Sequence, residues 1–209
     1  MRAIQAVDRE NLKLADRLAD EAASWARSAD DDWRLATAAC AKAMAARTAA
    51  DLRELVDRAD LLLERVGNVF CATDLHASAA YAALCLGSDA DAAEVVDRAT
   101  PGMRDLDNPH LWMLLRGNAG RAPLLTGDAA TALEAFREEL ELCRELAVLP
   151  VAAEGLRGLA AVAAIGGDPE RSAWLCSAAE THRYDRLRDP VDERLRTGIT
   201  VPCRAADVS

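Results

Sequence analysis

Aromatic residues are scarce in this chain of 209 residues, which has two Phe, two Tyr and four Trp against 46 Ala. Aromatic and β-branched residues favour strands, whereas Ala, Leu, Arg and Glu are strong helix formers. The composition therefore predicts an all-α fold. The length is enough for one large domain or two small ones with a real hydrophobic core.

The sequence also lacks long apolar runs and an excess of basic residues. No run approaches the roughly 20 residues of a membrane span, and the segment MRAIQAVDRENLK becomes charged too soon for a signal peptide. The net charge of −10 and the pI of about 4.8 argue against a nucleic-acid-binding surface, which depends on Lys and Arg. We expect a cytoplasmic protein that contacts neither membrane nor nucleic acid.

Clustered metal ligands and nucleophile–base pairs are missing too. The six cysteines form no CxxC pair, and His76, His110 and His182 are isolated in sequence, whereas a zinc site needs closely spaced ligands. A phosphate-binding P-loop needs GxxxxGK[ST] after a strand. We therefore interpret GNAGRA (117–122) as a close-packing site inside a helix, and we predict no metal, no cofactor and no enzymatic activity.

The sequence does contain an internal repeat with a spacing of about 40 residues. Gly-Asp steps stand at Gly127-Asp128 and Gly167-Asp168, and steps of 40 residues back from Gly127 reach Gly87, Arg47 and Val7. An amphipathic helix begins soon after each of these points. Its apolar stripe faces a charged stripe, and the apolar sets are Leu52, Leu55, Val56 and Ala59; Ala92, Val95, Val96 and Ala99; Ala132, Leu133, Phe136 and Leu140.

A second helix is predicted after each first one, over 33–47, 69–86, 109–126 and 151–165. Gly supplies the left-handed conformation that ends a helix, and the Asp after it caps the next helix. Pro123 is expected to kink its helix or to end it early. The sequence thus predicts an α-solenoid of four to five helix-turn-helix repeats, with a single domain over 8–195 and a mobile tail over 196–209.

The stretches TGDAATALEAFREELELCREL and GLRGLAAVAAIGGDPERSAWLCSAAETHR resemble tetratricopeptide-like (TPR-like) repeats. More specifically, they resemble the C-terminal repeat region of actinobacterial signal-transduction ATPase and LuxR-type (MalT-like) regulators. The resemblance spans roughly residues 8–195 and implies the sensor or scaffold part of a transcriptional or signalling regulator. The spacing departs from the 34 residues of standard tetratricopeptide repeats, and no Walker A loop or DNA-binding motif is present.

Charged residues on the first helices are the candidate working surface. Repeat alignment superimposes Glu54, Glu94 and Glu134, and likewise Arg58 and Arg98. In TPR-like folds the first helices line the concave side, so the resemblance implies that these residues border a groove. The alternative is that they are ordinary solvated residues joined by i,i+4 pairs. Trp25 and Trp112 are candidate aromatic anchors, although large aromatics at helical spacing lie more often in the core.

The first functional hypothesis is a domain that binds a protein or peptide partner in its groove, or a small effector between its repeats. The second is an oligomerisation scaffold that forms a homodimer. The third is an enzyme with an unrecognised site, which requires titratable groups to converge in a pocket.

Overall fold

The computed structural model describes residues 11–181 and 190–198, and these residues form ten α-helices and no strand. Their contacts divide the chain into two compact units, Met1–Leu106 and Asp107–Ser209. The helices are α1 (Leu12–Ser28), α2 (Asp32–Met44), α3 (Ala49–Val66), α4 (Val69–Cys85), α5 (Asp89–Asp105), α6 (Pro109–Thr126), α7 (Ala129–Leu146), α8 (Leu149–Ile165), α9 (Pro169–Thr181) and α10 (Pro190–Gly198).

The first unit contains α1 to α5, and each helix packs against the next one in the chain. Helix α2 also contacts α4. The buried side chains are mostly small or aliphatic, such as Ala36, Leu52, Ala79 and Leu84. Small side chains let neighbouring helices approach closely, so the high Ala content is used at the helix interfaces.

The second unit contains α6 to α10. Helices α6 to α9 pack in chain order, and α10 folds back onto α8 and α6. One core cluster surrounds the fully buried Phe136 of α7 and includes Leu124, Ala161 and Leu195. Leu195 belongs to α10, so this short helix completes the core of the second unit.

The helices recur evenly along the chain. Helices α3, α5, α7 and α9 begin at residues 49, 89, 129 and 169, and α4, α6 and α8 begin at 69, 109 and 149. Equivalent positions on the apolar stripe are also buried. The exposed fraction is 4% or less for Leu52, Ala92, Ala132 and Ser172. The all-helical prediction is confirmed, and the arrangement is consistent with a helical repeat.

The Gly-Asp steps act as helix caps, as predicted. Gly127 has φ +95° and ends α6, and the Asp128 carboxylate accepts a hydrogen bond of 3.1 Å from the Thr131 N–H at the start of α7. Gly167 has φ +77°, and Asp168 accepts from the Arg171 N–H at 3.0 Å. These contacts satisfy N–H groups that a helix start leaves unpaired.

Some predicted boundaries differ from the observed ones. Helix α2 ends at Met44 instead of residue 47, and α8 begins at Leu149 instead of residue 151 because Pro150 is tolerated in the first turn. Pro123 does not end α6, which continues to Thr126. Helix α10 includes residues 196–198 of the predicted tail, and the rest of that tail, 199–209, lies outside the described residues.

Candidate functional site

All five residues of the predicted working surface are exposed on first helices. Glu54 and Arg58 lie on α3, and Glu94 and Arg98 lie on α5, in the first unit; Glu134 lies on α7, in the second. The structure therefore places four of them on two helices of one unit. Glu94 and Arg98 line one inter-helix space and Arg58 lines another, whereas Glu54 lines neither, and the two spaces differ sharply in size.

The space between α3 and α5 is bridged by ion pairs. Arg98 Nη1 lies 3.2 Å from Asp57 Oδ1 and 3.4 Å from Asp60 Oδ2, and Arg53 Nη2 donates a hydrogen bond of 2.7 Å to Asp91 Oδ1. Hydrogen bonds from Ser88 and Arg53 lower the pKa of Asp91. The remaining cavity measures about 20 Å³, so it holds roughly one water molecule.

The space among α1, α2 and α3 is an open groove, which we call the α1–α3 groove. It measures about 260 Å³. Helices α1 and α3 form its walls and α2 forms its floor, because α2 packs against both. The apolar lining includes Ala19, Ala23, Leu35, Ala38, Leu55 and Leu62.

The border of the α1–α3 groove is basic. Arg27, Lys42 and Arg58 line it together with the single acid Asp20. Lys42 forms an ion pair with Asp20 and lies 3.7 Å from Asp16. Within the described part of the chain, Arg27 and Arg58 have no ion-pair partner, so two positive charges border an apolar groove without an acid to meet them.

A second cluster surrounds a buried carboxyl group in the second unit. Glu139 of α7 is only 1% exposed, and its Oε2 atom has no hydrogen-bond partner among the described residues. Gly117 and Gly155 flank it, and a Cβ added at Gly155 would stand 2.9 Å from Oε2. Glycine at both positions leaves the space that the carboxyl group occupies.

Burial raises the pKa of Glu139 to about 8; Arg121 and Arg116 oppose this rise, whereas Glu154 and Asp192 add to it. At neutral pH the group is therefore mostly protonated, which avoids the cost of a buried negative charge. This group is a neutral acid inside the core of the second unit.

Ion pairs between helices enclose this carboxyl group. Arg121 Nη2 of α6 lies 2.6 Å from Glu154 Oε2 of α8, and Arg157 Nε of α8 lies 2.6 Å from Asp192 Oδ2 of α10. On the α6–α7 side, Glu138 accepts a 2.7 Å hydrogen bond from the Trp112 indole and pairs with Arg116 at 2.7 Å. These contacts tie α6, α7, α8 and α10 together around Glu139.

His76 in the first unit is paired with a carboxylate. Its Nε2 lies 2.7 Å from Asp60 Oδ2, so the pair links α4 to α3. Burial raises the pKa of the nearby Cys40 thiol to about 12. Because a thiol with this pKa is protonated at neutral pH, Cys40 has no thiolate for nucleophilic chemistry. His182 lies outside the described residues.

Sequence analysis missed Glu139 and two residues of the groove border, Arg27 and Lys42, whereas Arg58 is among the residues that it predicted to border a groove. Repeat spacing aligns Glu139 with Ala59, Ala99 and Ala179, which are all buried. A carboxyl group therefore stands on the apolar stripe where three other repeats have alanine. That alignment is the signal that identifies it. GNAGRA, in contrast, is a close-packing site as predicted, because Gly117 and Gly120 pack against Glu139 and Phe136.

The large aromatics divide between surface and interior. Trp25 is 71% exposed, so the expectation of a core position is wrong for this residue. It lies near the end of α1. Trp112 is partly buried by its contacts with Glu138 and Arg116, whose guanidinium carbon lies 5.6 Å from the ring centroid.

Neither a metal cluster nor a membrane span is found in the described part of the chain. It contains no group of three or more His, Cys, Asp or Glu side chains that could hold a metal ion. None of its helices is long and apolar enough to cross a bilayer. A comparison with protein-family models gave no match, and a comparison with curated protein sequences gave none.

Proposed function

We propose that this protein is a non-enzymatic helical-repeat protein that binds a segment of a protein partner in the α1–α3 groove. The observation that carries this proposal is the groove itself, an apolar space of about 260 Å³ with basic residues on its border. Its walls are helices of one compact unit, which suits a binding surface that is formed before the partner arrives.

The size of the groove favours a peptide over a small effector. Pockets that enclose small ligands commonly measure about 300–1,000 Å³ and bury most of the ligand surface. The α1–α3 groove is smaller and open, and it offers space for a few apolar side chains. Such a space suits an amphipathic helix whose apolar residues recur at i, i+3, i+4 and i+7.

The wider setting of this binding function rests on the resemblance of the sequence. The even spacing of helix starts along the chain supports interpreting α3 to α9 as TPR-like repeats. We propose that these repeats form the interaction or sensing part of a bacterial transcriptional or signalling regulator that works in the cytoplasm. Self-association into a homodimer stays a prediction.

The test is a selection of helix-forming peptides on the full-length chain. The library carries an apolar stripe at helical spacing in peptides about 18 residues long, which is long enough to form isolated helix. Enriched peptides are then measured by fluorescence anisotropy against Ala23→Trp, which fills the groove from α1. We expect this variant to weaken binding at least tenfold.

The matched control is Ala22→Trp, which adds the same indole one residue away at an exposed position outside the groove lining. It should bind the peptides as the wild type does. The proposal fails if no peptide is enriched, or if Ala22→Trp and Ala23→Trp bind equally well.

A further inference from the structure

The two spaces on either side of α3 differ in how their arginines are neutralised. Arg98 on α5 stands 40 positions after Arg58 on α3 and is its counterpart in the repeat spacing. Arg98 is met by three carboxylates, because Asp57, Asp60 and Glu94 lie within 3.2 to 3.6 Å of its guanidinium nitrogens. In that space the chain supplies its own acids, and the remaining cavity is small, about 20 Å³.

Arg58 borders the α1–α3 groove with no carboxylate among the described residues to pair with it. Glu54, one helical turn earlier, does not form the i,i+4 pair expected from the sequence. Arg27 on the opposite wall likewise has no carboxylate partner among the described residues, because Asp20 is already paired with Lys42. The groove thus presents unmatched positive charge on both walls of an apolar floor, in a chain whose net charge is −10.

From this difference we infer that the partner of the α1–α3 groove is an acidic amphipathic helix of another protein. Its apolar residues enter between Leu55 and Ala23, and its flanking carboxylates pair with Arg58 on one wall and Arg27 on the other. This inference rests on the proposed function and specifies the chemistry of the partner. Arginine suits this role because its guanidinium binds carboxylates in a bidentate manner.

The experiment uses the full-length chain and two helix-forming peptides about 18 residues long. They share leucines at i, i+3, i+4 and i+7 and differ only at the flanking positions, which are Glu in one peptide and Lys in the other. We expect the Glu peptide to bind the wild type at least tenfold more tightly. Raising the salt concentration should reduce this preference, because salt screens the charges on the border of the α1–α3 groove.

Arg58→Glu should weaken the Glu peptide at least tenfold and strengthen the Lys peptide, which reverses the preference. The control is Arg137→Glu, an identical charge change at an exposed position on α7 outside the groove lining. It should leave both affinities within twofold of the wild type. Both arginines are exposed, and circular dichroism checks that each variant keeps its helices.

Different failures identify different errors. If Ala23→Trp abolishes binding but both peptides bind equally and Arg58→Glu changes neither, the groove is a binding site and the acidic partner is wrong. If the peptides bind with no sensitivity to Ala23→Trp, or do not bind at all, the inference fails together with the proposed function. A preference of the wild type for the Lys peptide overturns the inference alone.

Discussion

Glu139 is the residue at which the second unit departs most clearly from an ordinary helical core. Its backbone position matches Ala59, Ala99 and Ala179, all of which are buried alanines. A carboxyl group there needs extra space, which Gly117 and Gly155 provide, and it needs a way to avoid its charge, which the bound proton provides. The arrangement makes the stability of this unit sensitive to pH.

Glu139→Gln should remove a pH-dependent part of that stability. The folded carboxyl group keeps its proton up to a pKa of about 8, whereas the unfolded one releases it near 4.5. Because the native state then binds the extra proton, the free energy of unfolding of the wild type should fall as pH rises between about 5 and 8. The slope is at most about 1.4 kcal/mol per pH unit. Urea unfolding of both proteins across this range measures the difference.

The difference in unfolding free energy between wild type and Glu139→Gln is the informative quantity, because other titrating groups contribute equally to both proteins. As pH increases, Glu139→Gln should become more stable relative to the wild type, and this difference should level off above pH 8. If the two proteins keep a constant difference from pH 5 to 8, Glu139 is ionised in the native state and our assignment of a buried proton is wrong.

At this scale the sequence predicts less than the structure shows. A stripe defined by apolar residues omits Glu139 because glutamate is polar, although its alignment with Ala59 and Ala99 places it in the core. The contact between Asp60 and His76 was also unpredictable, because the two residues belong to different helices and no local spacing relates them.

The helices are well defined by local signals. Thr48, Asn68, Asn108 and Asp128 each accept a hydrogen bond from a backbone N–H in the first turn of the helix that follows. The predicted caps at Gly127-Asp128 were correct because both capping roles depend only on neighbouring residues. Gly adopts the left-handed conformation that ends a helix, and Asp accepts from the free N–H groups at the start of the next one. The end of α2 at Met44 was less predictable, because the apolar sequence continues through Ala45 and Ala46.

Asp128→Ala should destabilise the protein, because it removes the side chain that accepts from the Thr131 N–H at the start of α7. Asp97→Ala is the control, since Asp97 is exposed in the interior of α5 and its replacement by alanine favours helix. Thermal unfolding of the two variants measures the effect. A loss for Asp97→Ala as large as that for Asp128→Ala would contradict the capping role.

At the scale of the molecule, the all-helical class and the order of helix pairs follow from the sequence, because composition and apolar spacing act along the whole chain. The α1–α3 groove does not. Arg58 and Arg98 are equivalent in the repeat spacing, and only the structure shows that Arg98 is neutralised across α3 and α5 whereas Arg58 is left at an open border. Whether a charged residue is neutralised depends on side chains from a neighbouring helix.

The division into two units separates two kinds of buried feature. The first unit contains the open groove, and the second contains the protonated acid and the ion pairs around it. Helix α10 belongs to the second unit, where Asp192 pairs with Arg157 and Leu195 enters the core. We therefore expect binding in the first unit to be insensitive to Glu139→Gln.

The most direct test of binding in the α1–α3 groove is a nitrogen-15 NMR titration of the full-length chain with the Glu-flanked peptide. We expect amide shifts that concentrate on the residues of α1, α2 and α3 around the groove, including Ala23, Ala38 and Arg58, and that disappear in Ala23→Trp. Shifts concentrated on α6 to α10, or unchanged by Ala23→Trp, would contradict it.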